Sequence, residues 1–222
     1  MVKQLIRYLS VLAVTAAIAW AQNQTSTRTD ASAGEAAATH SKMVPAHTVA
    51  PVIADITIAT VNPNGPGQSV TGQYYRATNG NIRQDSPAGS VITNFQSATI
   101  TTLNPRTMQA VVASTPGPKG RYLPPNPPPS TPTVTPLGTT TVEGHPVTMT
   151  RITFDSSPGQ VTEVWTATDL LFVVLLKQTM PDGSSVTKQY QNIQQTEPDP
   201  NLFTVPPGYT VVSKQASAGT VQ

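Results

Sequence analysis

The chain reads as a mainly β protein, a curved antiparallel sheet or half-barrel of about 10 strands with little helix. Two observations carry that reading. Turn signals built from Asn, Pro and Gly recur roughly every 8 to 12 residues, the spacing of an all-β meander. Between them lie short segments that alternate apolar and polar side chains and are rich in Val, Ile and Thr, residues that suit a pleated, half-buried surface. A third fact sets the terms of folding: the 222-residue chain contains no cysteine, so disulfides, thiol nucleophiles and thiolate metal sites are excluded.

The chain opens on a segment that is not part of the sheet. Lys3 and Arg7 precede an uncharged apolar run from Leu9 to Trp20, which ends in Ala19-Trp20-Ala21 before Gln22. This is the three-part pattern of a secretory signal peptide, predicted to span residues 1–21. The competing reading, a membrane anchor, needs about 20 consecutive apolar residues, and this run is shorter. Loss of Lys3 and Arg7 leaves 11 of the 13 basic side chains against 11 acidic ones, a formal charge of zero. A basic surface of the kind that grips nucleic acid is therefore not expected. With no lipid-bearing cysteine, no stable membrane anchor is expected after cleavage, and the mature protein is placed in the periplasm or outside the cell. Removal of the signal leaves 201 residues, enough to bury a core.

Residues 22–48 are Ser, Thr, Ala and Gln with scattered charge. Such a leader cannot bury enough apolar surface to offset its ordering entropy, and disorder is expected. A first meander is predicted over 49–115. Asp55–Val61 alternates with β-branched residues and stops at Asn62-Pro63-Asn64-Gly65-Pro66-Gly67. Val70–Ala77 follows, and Asn79-Gly80 turns it into Ile82–Gln84, since both turn residues tolerate positive φ. Pro87-Ala88-Gly89 leads into Val91–Phe95. Then Ala98–Leu103, Asn104-Pro105 and Met108–Ala113 close the block.

The stretch 116–136 is proline-rich and includes Leu123-Pro124-Pro125-Asn126-Pro127-Pro128-Pro129. Proline fixes φ and has no amide donor, so this stretch is expected to be an extended polyproline II spacer. A ligand for proline-reading domains is the alternative. The second meander is predicted over 137–212, with strands at Thr139–Val142, Val147–Phe154, Val161–Thr166, Leu170–Thr179 and Val186–Ile193. Pro181-Asp182-Gly183 is a turn in which proline presets φ and glycine supplies a positive one. Leu170–Leu176 is apolar on both faces and reads as a doubly covered strand, as a buried helix, or as a short helical turn at Asp169–Leu171 entering a strand. Residues 213–222 are expected to be a flexible tail.

Candidate chemistry is sparse. His40 and His47 precede the first strand and His145 sits in the turn Gly144-His145-Pro146, which does not make the three-ligand frame of a zinc site. Gly183-Ser184-Ser185 and Ser156-Ser157-Pro158-Gly159 are turns rather than the Gly-x-Ser-x-Gly elbow of a hydrolase. Glu163 and Asp169 are the pair of carboxylates that glycoside cleavage would need, but Glu163, near Trp165, is expected to be solvated or paired with an arginine such as Arg151. No catalytic, cofactor-binding or metal-binding residue is assigned, and no ligand-facing residue is named. The few aromatics, Tyr74, Tyr75, Trp165, Phe172, Tyr190, Phe203 and Tyr209, are expected to serve mostly as core. Trp165 and Phe203 are the expected anchors.

Several segments carry a resemblance. Gly72-Gln73-Tyr74-Tyr75-Arg76-Ala77-Thr78-Asn79-Gly80-Asn81-Ile82-Arg83-Gln84-Asp85 resembles a phrase of exported acidobacterial proteins: tyrosine-arginine, a glycine turn, arginine-x-arginine, then an acidic residue. Leu137–Gly144, Glu163-Val164-Trp165, Asp169-Leu170 and Asn192-Ile193 fall in the order of the same family. Glu197–Val211, ending in Phe203-Thr204-Val205-Pro206-Pro207-Gly208-Tyr209-Thr210-Val211, is the most specific part. The likeness covers residues 70–113 and 137–212. Asn81 stands where that family usually has arginine, and the proline-rich insert is unusually long. The family is uncharacterised, so the likeness implies no activity. The second half is also similar to the lipoprotein-carrier half-barrels of the bacterial envelope, in which a curved sheet wraps an apolar cavity. That similarity implies a non-catalytic envelope protein without cofactor, holding a lipid or other apolar ligand in the concavity. The alternative is an exported structural or protein-interaction module with a filled core.

Overall fold

The structure is a computed structural model that describes residues 49–114 and 132–214. One 12-stranded sheet holds 65% of them in strands. The first meander comprises β1 (Val52–Asn62), β2 (Gly65–Arg76), β3 (Ile82–Ser86), β4 (Gly89–Asn94), β5 (Thr99–Asn104) and β6 (Gln109–Ser114). The second comprises β7 (Pro132–Val142), β8 (His145–Phe154), β9 (Val161–Ala167), β10 (Phe172–Thr179) and β11 (Ser185–Gln194). A short 3₁₀ turn at Pro200–Phe203 precedes β12 (Thr210–Lys214). The order across the sheet is β12-β6-β5-β4-β3-β2-β1-β11-β10-β9-β8-β7. The two meanders therefore join where β1 pairs antiparallel with β11.

Every pair is antiparallel except the edge pair β6·β12, which is parallel. That exception follows from the connection. The chain leaves β11 at the middle of the sheet and must cross its face to reach the far edge, where it runs alongside β6.

The turns form as their residues require. Gly80 has φ 86° and its amide donates to the Ala77 carbonyl at 2.9 Å. Gly183 has φ 80° and bonds back to Met180 at 3.0 Å. Of the three readings of Leu170–Leu176, a turn entering a strand holds, but the turn is not the helical one expected. Leu171 adopts φ 47° and is 70% exposed, and the strand starts at Phe172.

Two boundaries need correction. Residues 132–136, expected as the end of a polyproline spacer, are the start of β7. Pro132 and Pro136 are tolerated there because β7 is an edge strand, where a missing amide donor breaks no outer ladder. The rest of the proline-rich stretch lies outside the described residues, as do the expected signal peptide at 1–21 and the whole expected leader at 22–48. At the other end, Thr210–Lys214 is a strand on β6, so residues 213 and 214 do not belong to a tail.

The sheet curls toward one face. Lys188 on β11 and Gln84 on β3 are three strand intervals apart in the order. In a flat sheet that is roughly 14 Å, with both side chains standing side by side. Their side chains nevertheless meet, Nζ donating to Oε1 at 3.1 Å. Gly72 marks a bend. A Cβ there would point to the same face as its β1 partner Ile56 and would meet the Asp85 carbonyl oxygen at 1.9 Å. The backbone of β3 thus folds over β2 on the side that carries Ile56. That side is the concave one.

The two faces carry separate cores. On the concave side Val52, Ala54, Ile56, Tyr74, Phe172, Val174 and Tyr190 are buried in one cluster, with Val147, Ala167 and Leu170. On the convex side of the first meander a smaller cluster forms from Ile92, Leu103 and Ala110. Phe203, Val205 and Tyr209 of the returning chain pack on it. Arg83 fastens that segment, donating to the Leu202 carbonyl at 2.9 Å while holding Asp85 at 2.7 Å.

Candidate functional site

Strand register alone assembles the concave face. Alternate residues of β1 point inward: Val52, Ala54 and Ile56 are buried and Ile58 is half-buried. Val52 lies opposite Arg76 and Ala54 opposite Tyr74 on β2. Ile56 lies opposite Tyr190 and Ile58 opposite Lys188 on β11. Lys188 in turn faces Leu176 on β10, which faces Val164 on β9. From Val52 to Ile58 the row runs roughly 20 Å along the strand, with a cation at each end and aromatic rings between.

Tyr190 meets Phe172 and Tyr74 edge to face, and Tyr74 and Phe172 are tilted at 36°. Phe172 and Tyr190 have centroids 4.7 Å apart, Tyr74 and Tyr190 5.0 Å, and Tyr74 and Phe172 5.4 Å. Burial pushes the Tyr74 phenol up to about 12 and holds Tyr190 well above its ordinary value. Both are neutral phenols at any physiological pH.

The two cations differ in their partners. The Arg76 guanidinium donates to the carbonyls of Ala50 at 2.9 Å, Leu170 at 2.8 Å and Leu171 at 3.1 Å, and stacks 5.0 Å from the Phe172 ring centre. It is a structural pin that ties the chain entering β1 to the β9–β10 turn. Desolvation lowers its pKa, yet an arginine stays charged. Lys188 is 6% exposed, has the Gln84 bond, and sits 5.4 Å from the Tyr190 ring centre. Desolvation pulls its pKa from 10.5 to about 8. Among the described residues no strand carboxylate answers it: register puts Asp55, Asp85 and Glu163 on the opposite parity from Ile56, Gln84 and Val164. Beyond Gln84 the concave side of the first meander continues with Val91, Ile100 and Val111, all half-buried.

Carboxylates serve elsewhere as latches. A register shift between Ile53 and Asp55 opens the β1·β11 ladder at Asn192-Ile193, where Asn192 takes φ 52°. The Glu143 carboxylate, in the β7–β8 turn, accepts the freed amides of Asn192 at 3.1 Å and Ile193 at 3.0 Å. This brings a turn three strand intervals away onto β11, so the second meander curls as well. Glu143→Ala should cost about 1 kcal/mol in chemical denaturation, the net worth of such bonds where water can replace them. Glu197 caps the Thr78 amide and hydroxyl in the same manner.

The sequence-singled residues fall outside this face. His145 Nδ1 lies 2.7 Å from Asp169 Oδ2, and that bond holds the Asp169 carboxyl below its usual range. The pair joins the β9–β10 turn to His145, which is the first residue of β8 and not the turn residue expected. Glu163 pairs with Arg151 at 2.8 Å across β8·β9, as the sequence suggested. Ser184 donates to Asp182 within its turn. His40 and His47 lie outside the described residues. Trp165 and Phe203 each pack against a core cluster but are half-buried rather than fully enclosed. In β9 the buried positions are Thr162, Val164 and then Ala167. An irregularity between Val173 and Leu175 of the paired strand shifts the alternation, and Trp165 sits at the shift.

No protein-family model matches the chain, and no curated protein matches it. Solved structures do. An uncharacterized conserved protein from Thermus thermophilus is similar at TM-score 0.53 and 8% identity, with 75% of this chain and 91% of that one covered. A LolA superfamily protein from Nitrosomonas europaea aligns at TM-score 0.35 and 10% identity, covering 69% and 90%. The Pseudomonas aeruginosa MucA/MucB complex contains a chain that aligns at TM-score 0.42 and 11% identity, covering 72% of this chain and 58% of that one. At 8% identity the first likeness shows the fold alone, one open curved antiparallel sheet.

Proposed function

We propose that the chain is an exported, non-catalytic envelope protein that holds an acyl amphiphile against the concave face of its sheet. The observation that carries this reading is the composition of that face: apolar and aromatic side chains in register, with half-buried Val91, Ile100 and Val111 extending from the enclosed core. An apolar concavity with a few placed polar groups is the usual form of a small-molecule site. Export rests on the charged start, apolar run and Ala-x-Ala site of residues 1–21. The place of action is then the periplasm or the outside of the cell.

One measurement tests both halves. Protein purified from its native host and examined by native mass spectrometry should begin at or near Gln22 and carry a co-purified acyl lipid released on denaturation. A chain that retains Met1 overturns export. A chain that is lipid-free when isolated and takes up no added oleate or methyl oleate overturns the binding reading and leaves the filled-core interaction module.

A further inference from the structure

Resting on that acyl-binding reading, we propose that Lys188, with Gln84, is the anchor for an acidic headgroup, so that the ligand is an anionic amphiphile rather than a neutral lipid. The geometry is donor-only. Lys188 has three N–H groups, and among the described residues only the Gln84 oxygen accepts one of them. The bond that occupies the Gln84 oxygen leaves its amide nitrogen as a donor beside the ammonium. Two side chains from β11 and β3 thus bring N–H donors side by side on the concave face.

Among the described residues, nothing on that face neutralises the charge. The side chains flanking Lys188 on β1 and β10 are Ile58 and Leu176. The titratable groups that share the face are Tyr74, Tyr190 and Arg76, none of them an acid at neutral pH. A buried cation without a counter-ion is costly. A carboxylate or phosphate oxygen offers what the site lacks, and charged hydrogen bonds of this kind are the strong ones. The apolar wall at Ile58, Leu176 and Val164 lies alongside, where the first methylenes of an acyl chain would run. Arg76 lies at the other end of the row, with three of its five N–H groups on backbone carbonyls and its guanidinium stacked on Phe172.

The test is a displacement assay with a neutral fluorescent acyl probe on the full mature chain at pH 7. The competitors are oleate, oleyl phosphate and methyl oleate. The wild type should bind the two acids about 10- to 100-fold more tightly than the ester, the range expected of a charged hydrogen bond. Oleate and oleyl phosphate compared with each other identify which acid is preferred. Lys188→Met, which keeps the length and apolar bulk, should bind acid and ester within about twofold; Lys188→Arg should retain the preference. In the wild type the preference should also decline above about pH 8, as the free protein loses this proton, and that arm needs no variant to fold. A wild type that does not distinguish acid from ester, or a Lys188→Met that still does, overturns the anchor while leaving acyl binding standing. A wild type that binds neither overturns the binding reading itself, and the anchor with it.

Discussion

Gly72→Ala should destabilise the domain by about 3 kcal/mol or more, at or above the upper end of ordinary overpacking costs. The added methyl would lie 1.9 Å from the Asp85 carbonyl oxygen and 3.0 Å from its carbon. The obstruction is backbone on both sides, so no rotamer relieves it. The strands must separate at the point where β3 folds over β2. Gly65→Ala is the control, because nothing lies within 4 Å of a Cβ at that position, and it should change stability by no more than about 0.5 kcal/mol. Urea titrations of the two variants decide the matter. If both unfold at the wild-type midpoint, the curl of the first meander does not depend on close backbone approach at Gly72.

That bend was invisible in the residue pattern, and the reason is physical. Gly72 looks like any strand glycine until a second strand is laid across it. The strands themselves were legible, because alternation and turn chemistry are local. Asn79-Gly80 and Pro181-Asp182-Gly183 form where they were expected, through bonds that span three residues. What failed was non-local. β12 is a strand only because β6 offers an edge, and β7 begins among prolines only because its outer side has no partner to satisfy. Trp165, expected as a core anchor, is only half-buried because the irregularity opposite Val173–Leu175 breaks the alternation of β9. The candidate site did leave a trace. In Val186-Thr187-Lys188-Gln189-Tyr190 the lysine occupies the same phase as Val186 and Tyr190, and Arg76 occupies the phase of Tyr74. A cation in the apolar phase of a strand is a cue that a search for catalytic motifs passes over.

Lys188 should make the protein less stable at neutral pH than it is at pH 10, and removing it should help. Its pKa is about 8 in the folded chain against 10.5 as the ordinary value. Between those limits the unfolded chain holds more protons than the folded one, so stability rises with pH across the interval. Below pH 8 the penalty of burying the charge is present in full, about 3 kcal/mol at 1.36 kcal/mol per unit. Lys188→Met should therefore raise stability at pH 7 by about 2–3 kcal/mol, as replacement of buried charge by apolar bulk often does. The gain should shrink toward zero near pH 10. Tyr74 and Tyr190 pull the other way above that pH, since their raised phenols keep protons in the folded state that the unfolded state releases. Both proteins share those tyrosines, so the difference between them isolates Lys188. Guanidinium titrations of wild type and variant at pH 7, 8.5 and 10 supply the comparison. The variant should be the more stable protein at neutral pH and the one that no longer distinguishes an acid from its ester, a trade of stability for function seen at strained binding sites. A Lys188→Met protein that is less stable at pH 7, with a wild-type curve flat from pH 8 to 10, would mean that the ammonium is solvated and costs the fold nothing.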